Sequence, residues 1–64
     1  MKVYTVIRNY RESEVLVLAT ASYEHALNTY HKQIDLIDKG VFTNAIGVRL
    51  HEWSGGRVIL LQEI

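Results

Sequence analysis

Residues 20–41 read TASYEHALNTYHKQIDLIDKGV, and this is the only stretch of the chain with helical periodicity. Tyr23, Leu27, Tyr30, Ile34 and Ile37 recur at alternating spacings of four and three. With Ala26 and Leu36 alongside, they draw one apolar stripe down a helix. Ser22 suits the N-cap, because its hydroxyl can accept from an orphan amide of the first turn. Glu24 follows where the positive end of the helix dipole favours an acid. Gly40 fits the left-handed position past the last turn, and Val41 is placed to close back on Leu36 in a Schellman arrangement. His25, Asn28, His31, Lys32 and Asp35 make the other face polar. Asp35 and Lys39 form an i,i+4 pair in the favourable order.

On either side of the helix the pattern changes to that of strands. Lys2 to Arg8 (KVYTVIR) alternates Val3, Thr5 and Ile7 with Lys2, Tyr4, Val6 and Arg8, a β-branched and aromatic mixture. Asn9 to Ser13 is polar and turn-forming. Glu14 to Thr20 (EVLVLAT) is nearly continuously apolar, as in a strand buried on both faces. Beyond the helix, Ala45 to Trp53 sets Ile46, Val48 and Leu50 against Gly47, Arg49, His51 and Trp53. Ser54-Gly55-Gly56 marks a tight turn, and Arg57 to Ile64 (RVILLQEI) is again apolar on both sides.

The element order is β-β-α-β-β. Its natural packing is α+β: a four-stranded, mainly antiparallel sheet with one helix across one face. The helix stripe is expected to pack on Ile46, Val48 and Leu50. Residues 1–64 read as a single domain and a complete small reading frame. A chain this short buries only about 60% of the surface its unfolded form exposes.

Composition removes several classes. The chain has no cysteine, hence no disulfide framework and no thiolate metal site, which fits a cytoplasmic protein. MKVYTV lacks the apolar core and cleavage site of a signal peptide. No apolar run reaches the roughly 20 residues of a membrane span. Seven basic and seven acidic side chains cancel, so no bulk field attracts nucleic acid or anionic lipid. His31 and Asp35 lie one helical turn apart, but His25 and His31 point to different sides, so no metal or other cofactor is expected. Ser54-Gly55-Gly56 is too short for a phosphate loop, and Ser54 lacks the elbow context of a nucleophile. The chain therefore reads as a non-enzymatic protein.

What remains is excess hydrophobicity. Nearly half of the residues, 48%, are hydrophobic, yet one helix covers only one side of a sheet. The strands Val15–Ala19 and Val58–Leu61 are apolar on both faces, and Tyr4, Val6 and Trp53 are expected on the other side. An exposed apolar patch of several hundred Å2 marks an interaction surface, and a small domain gains stability by association. The candidate surface carries Tyr4, Arg49, His51, Trp53 and Arg57. Tyr10 and Arg11 in the first hairpin form a second candidate. Trp, Tyr and Arg are the types most enriched at binding hot spots. The expected partner is a protein, with a homodimer through the same face. The alternative is single-stranded nucleic acid, its bases stacked on Tyr4 and Trp53 beside the arginines. The absent basic excess, and the interruptions at Glu52 and Glu63, weigh against that alternative.

The opening MKVYTV, followed by a second strand and the ATASYEHALNTY segment, resembles a type of short phage-encoded β-β-α-β-β protein. The likeness rests on the MKVY-like first strand and on Ser22, Glu24 and Ala26 at the helix start, and it covers about half of the chain. It implies a stoichiometric binder acting in the host cytoplasm, in the manner of anti-CRISPR-like proteins that block a defence nuclease, a repair enzyme or a polymerase. This chain lacks the strong negative charge of the DNA-mimicking inhibitors.

Overall fold

The computed structural model describes all residues from Met1 to Ile64. It contains β1 (Lys2–Tyr10), β2 (Glu14–Thr20), α1 (Tyr23–Asp38), β3 (Ala45–Ser54) and β4 (Arg57–Glu63), in the expected β-β-α-β-β order. The strands form one open antiparallel sheet in the order β2-β1-β3-β4. The two hairpins meet through β1 and β3, so the helical crossover from β2 passes over β1 to reach β3.

Local signals account for the ends of α1. The Ser22 hydroxyl accepts from the His25 amide at 3.1 Å, capping the first turn. At the other end Gly40 adopts φ +80°. The Val41 amide donates to the Leu36 carbonyl and the Gly40 amide to the Ile37 carbonyl, both at 3.0 Å. That is the Schellman pair. Lys39 and Asp35 form their ion pair at 2.9 Å. The β3–β4 turn consists of Gly55 and Gly56, both at positive φ, the requirement of a tight type I′ hairpin.

The core lies between α1 and the two central strands. Val6, Val48 and Leu50 are fully buried, and Tyr4, Ala26 and Tyr30 complete the cluster. Register explains the grouping: Tyr4 stands opposite Glu52, Val6 opposite Leu50 and Arg8 opposite Val48, and directly opposed residues share a face. Val17, Leu18, Leu27, Ile34, Ile37 and Leu61 pack around this centre. Arg8 ties three elements together. Its Nη1 donates to the buried Gln33 Oε1 at 2.8 Å and its Nε to the Tyr10 hydroxyl at 2.8 Å. Its guanidinium carbon stands 3.8 Å from the centre of the Phe42 ring.

Four expectations need correction. Tyr4 and Val6 lie under the helix, not on the open side, because they share the face of Leu50. Ile46 is 69% exposed, since it enters the strand beside the end of α1 and not beneath it. Finally, β2 and β4 are not buried on both faces. They are the two edges of the sheet, and Val15, Leu16, Val58, Ile59 and Leu60 are all exposed. No helix is long and apolar enough to cross a membrane.

Candidate interaction surface

The side of the sheet away from α1 is built by alternation. β1 contributes Val3, Thr5 and Ile7, and β3 contributes Arg49, His51 and Trp53, paired as Val3–Trp53, Thr5–His51 and Ile7–Arg49. Leu16 of β2 stands opposite Ile7. Leu60 and Val58 of β4 stand opposite His51 and Trp53. The result is an apolar corner of Trp53, Val58 and Leu60, each between 45% and 48% exposed. A second apolar spot at Ile7 and Leu16 lies across the face, with Leu16 60% exposed.

Polar groups organise the ground between them. The Trp53 indole nitrogen donates to the Thr5 hydroxyl oxygen at 2.9 Å. Arg49 Nη2 donates to Asn9 Oδ1 at 3.0 Å and to Glu14 Oε2 at 2.5 Å, reaching from β3 across β1 to β2. The Arg49 Nε and the His51 Nδ1 are buried without a hydrogen-bond partner. Burial lowers the His51 pKa below its ordinary value, and the Arg49 charge adds to the effect, against smaller opposing contributions from Glu14 and Glu63. The imidazole is therefore held towards its neutral form. Tyr30, in the core, is shifted the other way: burial and then Glu63 raise its pKa. An open groove continues the face past Arg49, lined by Asn9, Glu12, Glu14, Gly47, Glu63 and Ile64 among others.

Of the residues singled out by sequence, Arg49, His51 and Trp53 come together on this face. Tyr4 does not: its ring meets Tyr23 edge-on at 5.4 Å in the core. Arg57 pairs with Ser54 and by alternation belongs to the helix side, at the start of the β4 edge. Tyr10 is half-buried and holds Arg8. Arg11 is exposed in the β1–β2 turn, beside a groove shared with Glu12 and Asn44. Leu16, Val58 and Leu60 belong to the runs Val15–Ala19 and Val58–Leu61 that read as apolar on both faces, and the edge position of β2 and β4 leaves them exposed. Ile7, in the central strand β1, was not singled out by sequence; its pairing with Leu16 and Arg49 places it on this face. No three His, Asp or Glu side chains are grouped closely enough to share a metal ion. No family model, curated protein or solved structure matches the chain.

Proposed function

We propose that the chain is a non-enzymatic binding module that engages a protein partner through its open sheet face. The observation that carries this reading is the exposed apolar corner Trp53–Val58–Leu60 and, across the face, the exposed Leu16 beside a half-buried Ile7, set around the fixed Arg49–Glu14 link. Exposed aromatic and aliphatic anchors with a pre-positioned arginine are the composition of a protein interface. The broad side of the molecule measures 35 by 24 Å between Cα extremes, comparable with the roughly 800 Å2 that each partner contributes to a standard interface.

The phage-type resemblance extends this reading to a host protein that is bound and blocked, in the host cytoplasm. Single-stranded nucleic acid is the weaker alternative. Tyr4 is withdrawn into the core, Trp53 is the only aromatic left on the face, and Arg49 is engaged by Glu14. Affinity capture from host lysate separates the two. A single protein held in stoichiometric amount after nuclease digestion and a high-salt wash supports the proposal. Recovery of nucleic acid alone, released by salt, contradicts it.

A further inference from the structure

The two sides of the sheet differ in charge, although the chain as a whole has seven basic and seven acidic residues. Directly opposed residues share a face, so the register assigns each strand residue to a side. Lys2 stands opposite Ser54, Arg8 opposite Val48 and Arg57 opposite Ser54, all on the helix side. Lys32 and Lys39 belong to α1 and its C-cap, and Arg11 lies in the β1–β2 turn. Arg49 is thus the only lysine or arginine on the open face. Two carboxylates accompany it there: Glu63 of β4, directly opposite, and Glu14 of β2, which faces Asn9.

Arg49 does not balance that pair. Its Nη2 is committed to Glu14 and Asn9, while Glu63 has neither a salt bridge nor a side-chain hydrogen bond. His51, the other basic group of the face, is held towards its neutral form by burial and by Arg49. The groove beyond Arg49 gathers a third carboxylate, Glu12, from the turn, and Gly47 adds no side chain to its lining. Three carboxylates against one arginine leave the groove acidic. Exposed charges attract only weakly in water, but an apolar contact close by excludes solvent. The Trp53–Val58–Leu60 corner is that contact: Leu60 precedes Glu63 by three residues of β4, about 10 Å along the strand.

We infer that the open face receives a basic and apolar segment of a protein partner: a lysine or arginine enters the groove beside Glu63, and an aliphatic or aromatic residue about 10 Å away covers the Trp53–Val58–Leu60 corner. This rests on the reading of the open face as a protein-binding surface and adds the chemistry of what it binds. Charge complementarity selects the partner more than it tightens the complex. Phosphates and acidic segments are repelled by the same groove, and two copies of this chain meeting face to face would set acid against acid.

Selection from a library of random displayed peptides against the full chain provides the test. The enriched peptides are expected to pair lysine or arginine with an aliphatic or aromatic residue. Their affinity, read from the fluorescence of Trp53, the single tryptophan, should fall several-fold with Glu63→Gln and fall further as salt rises. Leu60→Ser should also weaken it, whereas Glu24→Gln, the same charge change on α1, should leave it unchanged. Repeating the selection on Glu63→Lys should remove the basic peptides. Enriched peptides that require Leu60 but carry no basic residue overturn this inference and leave the open face as the binding side. Peptides indifferent to both Glu63→Gln and Leu60→Ser overturn the inference and the reading beneath it. A library that yields no binder overturns the inference alone.

Discussion

Trp53 Nε1 donates to Thr5 Oγ1 at 2.9 Å across the two central strands, which fixes the largest exposed side chain of the open face to the least exposed strand pair. Thr5 is 9% exposed and Trp53 45%, so the hydrogen bond is anchored at its buried end and displays the indole at the other. Replacing Thr5 with Val keeps the shape and removes the acceptor. The expected loss is about 1 kcal/mol in urea unfolding, with a red-shifted and more quenchable tryptophan fluorescence as the indole loosens.

Two leucines distinguish core from surface. Leu50 is fully buried, whereas Leu60 is 47% exposed. Leu50→Ala should cost about 3 kcal/mol or more, the range for buried leucine truncation, enough to unfold much of a small domain at 37 °C. Leu60→Ala should cost less than about 1 kcal/mol, measured at protein concentrations low enough to keep the chain monomeric.

Arg8 should not tolerate a conservative change. Lysine cannot donate to Gln33 and Tyr10 at once from a planar fork while lying on Phe42. Gln33 is buried, so its carbonyl oxygen would lose its only side-chain donor. Arg8→Lys is expected to lower stability by about 1–2 kcal/mol in denaturant titration. Arg11→Lys in the exposed turn should be neutral.

Much of this architecture was readable from local sequence. Ser22, Gly40 and the Tyr23–Ile37 stripe act within a few residues of one another, and the helix and both its caps form as read. The alternation of Val48 and Leu50 against Arg49 and His51 was also legible, because a period of two needs no partner to be seen. The sidedness of β1 was not. Tyr4 and Val3 alternate in the same way whichever side the helix takes, and only pairing with Glu52 and Trp53 decides between them. Strand order was hidden for the same reason. The apolar runs of β2 and β4 suit a doubly buried central strand or an edge awaiting a partner equally well. Gln33 occupies a position in the apolar stripe, three residues after Tyr30, but its reason for being there is Arg8, 25 residues away.

Gly47 should be intolerant of any side chain. A Cβ there would collide with the Ile64 carbonyl, which accepts from the Val48 amide while the Ile64 amide donates to the Val48 carbonyl. Gly47→Ala is expected to break that pair and lower stability by about 2 kcal/mol. Ending the chain at Glu63 should remove most of the difference between alanine and glycine, as measured by thermal unfolding.

His51 gives the stability a pH dependence of defined sign. Its folded pKa lies below the unfolded value of 6.5, so between the two the unfolded chain binds more protons. Stability from this group is complete above 6.5 and is lost as pH falls through the folded value. Unfolding free energy should therefore rise with pH across that window. In His51→Gln the slope should flatten.

The central claim is that the open face, not the helix, is the side that meets a partner. The most direct measurement is capture from a cell lysate by equal amounts of three folded proteins: wild type, Leu16→Asp on the open face, and Lys32→Glu on the exposed side of α1. The expected result is one protein retained in stoichiometric amount by wild type and Lys32→Glu and lost with Leu16→Asp. Retention by Leu16→Asp, with loss on Lys32→Glu, would contradict the account.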